Sequence, residues 1–219
     1  MKKTLLVSAI ALALCSQAQA DNIGIYAGAY SWQPELSGDG NLGNYNYDLD
    51  SDDNATSYYV AFEHPIPLLP NARLQRTDLS SRSKDSTELD LSHTDATLYY
   101  NILDNWVHFD LGLTGRFFDG KVDNGIQKAS IDDTVPMLYA NMMVELPFNL
   151  YAGITGNVAR HFDNDTEIYD FTARVGWEAI LGLGVEAGYR TFDTKMKDLK
   201  HAEVDSSMKG PYLGLSYHF

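Results

Sequence analysis

Along this 219-residue chain, apolar side chains alternate with polar or small ones in runs of about ten residues, and no segment beyond residue 20 offers the roughly twenty apolar residues that a spanning helix requires. A period of two belongs to strands whose faces meet different surroundings. Val107–Phe118 shows it best: Val107, Phe109, Leu111, Leu113 and Phe117 fall on one face, and His108, Asp110, Gly112, Thr114 and Arg116 on the other. Ten such runs lie near residues 22–32, 55–64, 72–80, 89–102, 107–118, 134–146, 150–160, 168–178, 182–192 and 207–219, separated by breaks rich in Gly, Asn, Asp and Pro. The breaks alternate in length. Leu103–Trp106, Pro147–Asn149 and Ala179–Leu181 are short, whereas those at about 33–54, 80–88, 119–133, 161–167 and 193–206 are long.

A soluble β-sandwich alternates too, but it turns large apolar side chains into a core and polar ones to water. Here the non-apolar face mixes glycine with Arg and Glu, as in Thr172, Arg174, Gly176 and Glu178, or Gly184, Glu186, Gly188 and Arg190. Such a face suits a barrel interior, where small residues leave room for long charged ones; the apolar partners, such as Phe171, Ala173, Val175 and Trp177, then meet lipid. In hydrocarbon every backbone N–H and C=O must be paired within the protein, so a spanning sheet has no free edge. The expected fold is therefore all-β: an antiparallel up-and-down transmembrane β-barrel of about ten strands, with short periplasmic turns and long outer loops. Trp106 and Trp177, beside short turns, fit an aromatic girdle.

Residues 1–20 read as a signal peptide, with Lys2 and Lys3 as the basic region, Leu5–Leu14 as the apolar region and Ala18-Gln19-Ala20 as the cleavage site. Residues 21–219 then form a single exported barrel. Cys15, the one cysteine, falls inside the leader, where Leu14 is too bulky for lipoprotein processing, so the exported chain has neither a disulfide nor a reactive thiolate. The formal net charge of −14 argues against a nucleic-acid partner, because phosphates call for a basic footprint.

The last run places Pro211, Leu213, Leu215, Tyr217 and Phe219 on one face and Gly210, Tyr212, Gly214, Ser216 and His218 on the other. It resembles the carboxy-terminal signal of Gram-negative outer-membrane β-barrel proteins, which implies that the insertion machinery reads Leu213, Leu215, Tyr217 and Phe219. Glu63-His64-Pro65-Ile66-Pro67-Leu68-Leu69-Pro70-Asn71 is similar to the first periplasmic turn of a small, functionally uncharacterised proteobacterial outer-membrane barrel family. The resemblance implies a fold and a place in the cell envelope, but no activity. Outer-membrane lipid and lipopolysaccharide are the expected surroundings of a monomer without a cofactor.

Among candidate functional residues, the inward charges carry most information: Glu63, Asp110, Glu145, Asp170, Glu178 and Glu186 against Arg73, Arg116, Arg174 and Arg190. Buried charges persist when paired, so these ten are expected to form a lumen ion network. The leading reading is an ion-paired plug with a structural or surface-interaction role carried by acidic loops, since ten strands enclose a lumen nearer the filled eight-stranded case than the open porins. A narrow small-solute channel is the alternative. Arg76 interrupts the scheme, because Arg73, Gln75 and Thr77 inward leave it facing out; it is expected near the outer interface, reaching headgroups.

Asp48, Asp50, Asp52 and Asp53 invite a calcium reading, but Asp53 stands where an EF-hand loop needs glycine and Tyr59 where it needs glutamate. The run reads as a solvated loop tip, and no metal is expected. His161 with Asp163 and Asp165, and Asp193 on the same rim, is the nearest approach to an acid–base set for a surface hydrolase. No orienting partner and no motif of the omptin proteases or barrel lipid A deacylases accompanies it, so no enzyme is expected. His108 and His218 read as lumen hydrogen-bonders.

Overall fold

The structure, a computed structural model, describes residues 23–42, 45–66, 68–83, 86–160, 166–179, 181–199 and 202–219. The leader and the His161–Asp165 run lie outside them. In chain order the strands are β1 (Gly24–Trp32), β2 (Glu35–Leu42), β3 (Tyr45–Ser51), β4 (Ala55–Glu63), β5 (Asn71–Asp78), β6 (Ser80–Arg82), β7 (Glu88–Asp90), β8 (His93–Asp104), β9 (Val107–Phe118), β10 (Gly120–Asp123), β11 (Lys128–Ile131), β12 (Thr134–Leu146), β13 (Leu150–Arg160), β14 (Thr166–Glu178), β15 (Leu183–Leu199) and β16 (Ala202–His218).

Ten of these close the barrel: β1, β4, β5, β8, β9, β12, β13, β14, β15 and β16 pair antiparallel in that order, and β1 pairs back onto β16. The seam runs from Tyr26↔His218 to Trp32↔Tyr212, and the terminal residue takes part, since Ile25 N–H donates to the Phe219 carbonyl at 3.0 Å and Phe219 N–H to the Ile25 carbonyl at 2.9 Å. The closed ladder leaves no edge for hydrocarbon to meet. Outward positions are apolar, with Leu113, Ile154, Val175, Leu213 and Leu215 all exposed, as the alternation requires. The two girdle candidates, Trp106 and Trp177, are exposed beside the short turns.

Inside, glycines make space for tyrosines. Gly112 on β9 has Tyr99 and Tyr139 as its register partners on either side, and the two rings meet over it at 5.7 Å. A Cβ at Gly112 would collide with the Leu98 carbonyl oxygen and lie 2.7 Å from Tyr99 Cβ, so backbone as well as side chain would have to move.

The stretches expected as long loops at 33–54, 80–88, 119–133 and 193–206 are corrected by the structure, which finds strands in each. β15 and β16 continue together well beyond the expected membrane zone, and the β2–β3 hairpin adds to the outer part of β16 through Ala202↔Leu42 to Lys209↔Glu35. β11, β10, β7 and β6, in that order, form a second, four-stranded sheet. The Ser-, Asp- and Gly-rich sequences of these four strands and of the β2–β3 hairpin look like loops, but Leu36 and Leu49 in the hairpin and Leu89, Val122 and Ile131 in the sheet are buried in one hydrophobic cluster. The outer end of the barrel therefore carries a folded cap.

Arg76 faces outward as expected, at the end of β5 near that cap, and its guanidinium is held by carboxylates: Nε donates to Asp78 at 2.8 Å and Nη1 to Asp119 at 2.8 Å. Asp53 ties the β3–β4 connection to β6. Its carboxylate accepts the Arg82 backbone N–H at 2.8 Å and the Ser51 hydroxyl at 3.0 Å. The Arg82 amide and then the Ser51 hydroxyl hold the Asp53 carboxyl below the usual carboxylate range.

Two outcomes are expected. Gly112→Val should lower stability by about 1–3 kcal/mol in urea unfolding, the usual cost of overpacking, while Gly115→Ala, whose Cβ meets nothing nearer than 3.5 Å, should change it by less than about 0.5 kcal/mol. The depressed Asp53 value means that its tie stabilises the cap above the ordinary Asp range, near pH 3.9, and is lost as pH falls through the folded-state value. The Arg82 amide resonance should thus titrate with a midpoint below about 3.9, and Asp53→Ala should remove the transition.

Candidate functional site in the lumen

Four charged side chains form a layer across the lumen. Asp95 projects from β8, Arg116 from β9, Asp170 from β14 and Arg190 from β15, each on the polar phase of its strand. Arg116 donates from Nε and Nη2 to the two Asp95 oxygens, both at 2.7 Å, and from Nη2 to Asp170 at 2.7 Å. Arg190 donates from Nε and Nη2 to the two Asp170 oxygens at 2.9 and 2.7 Å. All four residues are buried. Two anions balance two cations, and forked pairing satisfies both carboxylates, the condition under which ions persist away from water. The guanidinium carbons lie 4.8 Å from the Trp32 ring centroid for Arg190 and 5.2 Å from that of Phe192 for Arg116, so aromatic faces cover the cations.

Outward of this layer the inward-facing positions turn mostly apolar, with Thr194 and Ser206 buried among them. Trp32, Met137, Ile168, Phe192, Met196 and Met208 are 0–1% exposed and belong to the same cluster as the cap residues. His93 packs against Phe118 and Phe192, at 5.4 and 5.7 Å between centroids, with Nδ1 2.7 Å from the Leu91 carbonyl oxygen. The Trp32 indole N–H donates to the Gly210 carbonyl at 3.1 Å.

Toward the periplasm the lumen opens into a cavity of about 690 Å³, with walls that run from Asp95, Asp170 and Arg190 down to Asp104, Asn149, Gly182 and His218 at the short turns. Glu186 accepts hydrogen bonds from the hydroxyls of Tyr212 and, at 3.1 Å, Tyr151, and pairs with Arg174 at 3.6 Å. Arg174 also donates to Asn141 at 2.7 Å and to Thr155 at 2.5 Å. Asp110 accepts from Asn101 at 3.0 Å and from Asn141 at 2.8 Å. Glu63 accepts from the Tyr99 hydroxyl at 2.7 Å. His108 stands between Asp104 and Glu145, at 2.9 and 3.0 Å, and His218 stacks on Tyr26 at 4.5 Å. Arg73 donates to Gln75 at 2.8 Å and lies over the Tyr59 ring at 3.9 Å.

Of the ten expected network residues, the structure brings Arg116, Asp170 and Arg190 into one buried cluster and Arg174 and Glu186 into a second, partly buried pair. Glu63, Asp110 and Arg73 are met by neutral partners, Glu145 by His108, and Glu178 lines the cavity. Asp95 completes the buried layer and was not singled out in the sequence. Its sequence signal is its place on one face with Thr97, Tyr99 and Asn101; the β8–β9 register then makes it the direct partner of Arg116. Asp48, Asp50 and Asp52 are exposed at the outer end, and no group of three potential metal-ligating side chains assembles among the described residues. Asp193 accepts from the Ser207 hydroxyl at 2.5 Å and lies 3.6 Å from the Lys209 ammonium, while its expected companions His161, Asp163 and Asp165 are outside the described residues.

Arg116→Ala should lower unfolding stability by about 3–5 kcal/mol, because it strands Asp95 in a buried site. Lys209→Ala, which removes only an exposed 3.6 Å pair, should change stability by no more than about 1 kcal/mol in the same denaturant titration.

No protein-family model matches the chain, and no curated protein matches it in sequence. Solved structures do resemble it. The outer membrane protease OmpT from Escherichia coli superposes with a TM-score of 0.55 at 9% identity, covering 93% of this chain and 100% of that one. A Pseudomonas aeruginosa FadL homologue gives a TM-score of 0.41 at 10% identity over 92% of this chain and 91% of that one, and the β domain of the Bordetella autotransporter BrkA gives 0.35 at 11% over 89% and 98%. At such identities the likeness concerns the fold alone, and together with the closed ten-strand ladder it makes this chain an outer-membrane β-barrel.

Proposed function

We propose that the protein is a sealed outer-membrane barrel whose role is carried by its folded, acidic cap at the cell surface, as an interaction scaffold and not as a conduit. The observation that carries this reading is the filled outer half of the lumen. Above the charge layer, Trp32, Phe192 and Met208 show no solvent exposure, and they pack into one cluster with residues of the cap. A solute path would have to pass both that cluster and four mutually bonded charges. The cap has the properties of a presented surface: its strands are tied by side-chain bonds such as Arg82–Glu88 at 3.0 Å and Lys121–Glu88 at 2.6 Å, and its exposed rim carries Asp48, Asp50 and Asp52.

Single-channel recording of the purified barrel in planar lipid bilayers tests the reading. The natural protein should be silent, and the double substitution Phe192→Gly with Met208→Gly, which empties the middle of the plug, should produce steps of conductance. Unit steps from the natural protein would overturn the proposal in favour of a narrow channel.

A further inference from the structure

The periplasm-facing cavity has an uneven distribution of charge that the sealed-barrel reading does not use. In the buried layer the charges balance, and Arg174 is answered by Glu186. Arg73 is different. Its one hydrogen bond is to Gln75, one face of its guanidinium is covered by the Tyr59 ring, and no ion pair joins it to a carboxylate among the described residues. It lines the cavity and keeps donors available toward it. Nearer the mouth the balance reverses: Glu63, Asp104, Asp110, Glu145 and Glu178 line the wall, with His108 between two of them as the local basic group. The cavity thus has one unanswered cation in its depth and an excess of carboxylates at its entrance.

Electrostatics selects the class of ligand. A simple anion suited to Arg73 would have to pass the acidic mouth, and a simple cation suited to the mouth would find Arg73 repulsive. A molecule with an ammonium group at one end and a carboxylate at the other matches both. The spacing supports a short one: Arg73 is the register partner of Ala61, and Glu63 lies two residues closer to the periplasm on β4, a rise of about 7 Å. An extended dipeptide spans at most about 7 Å between its ends. The volume of about 690 Å³ lies within the range of small-molecule sites, and Tyr30, Tyr59, Tyr99 and Tyr212 provide rings for an apolar side chain.

We infer that this cavity is a periplasm-facing binding site for a short peptide with free termini, its carboxylate on Arg73 and its ammonium between Glu63 and Asp110. The site needs no opening of the plug, so it is independent of whether the cap recognises a partner.

Isothermal titration of the full-length chain purified in detergent, with the dipeptide Ala-Phe as probe, decides the matter. Saturable binding is expected with a Kd of about 1 mM or tighter. Amidating the carboxylate or acetylating the amine should each weaken it at least about tenfold. Arg73→Gln should make free and amidated dipeptide bind equally, and Glu63→Gln, which leaves Asp110 in place, should narrow the difference between free and acetylated dipeptide. The capped ligands test the natural protein directly, so the result does not depend on the folding of either variant. Absence of saturable binding, or equal affinity for free and capped dipeptides, would overturn the inference.

Discussion

Hydrocarbon offers no hydrogen-bond partner to a peptide group, and the rest of this structure depends on that fact. It demands that the sheet close, which it does where β1 meets β16 and where Phe219 itself exchanges backbone hydrogen bonds with Ile25. Closure then divides every strand into two faces with opposite requirements. Outward side chains must tolerate lipid, and inward ones must fill a narrow space without leaving polar groups unpaired.

The interior fills that narrow space in three different ways along its axis. At the outer end it is apolar and continuous with the cap, so the plug resembles the core of a soluble domain. Midway, ions are buried but matched, with Asp95, Arg116, Asp170 and Arg190 bonded in a chain. Toward the periplasm the lining is polar, tyrosine-rich and wide enough to leave a cavity. Phe192 lies at the boundary between the first two regimes, against His93 on one side and the Arg116 and Arg190 guanidinium groups on the other.

This gradation separates two possible tasks. The cap, continuous with the plug, presents an ordered surface outward. The cavity, sealed above by the charge layer, is accessible from the short-turn end. The surface role and the binding role proposed above therefore call for no path between them.

The number, spacing and facing of the barrel strands were legible in the sequence, because a period of two reports directly which side chains share a face and lipid demands apolar residues on one of them. The Arg116, Asp170, Arg174 and Arg190 positions were legible for the same reason: long charged residues in phase with glycine have no place to go but inward. What the alternation does not contain is the identity of the neighbour across the ladder. Asp95 was on the correct face, but only the β8–β9 register sets it opposite Arg116. Nor does phase show where along the axis polar lining gives way to apolar lining, and Phe192, Ile168 and Met208 form a plug because the cap folds onto them. The cap strands were hidden because their alternating residues are mostly Ser, Asp and Gly, and their few buried leucines gain meaning only from contacts distant in the chain. Local pattern determined the wall; pairing register and long-range packing decided what fills it and from which side it is open.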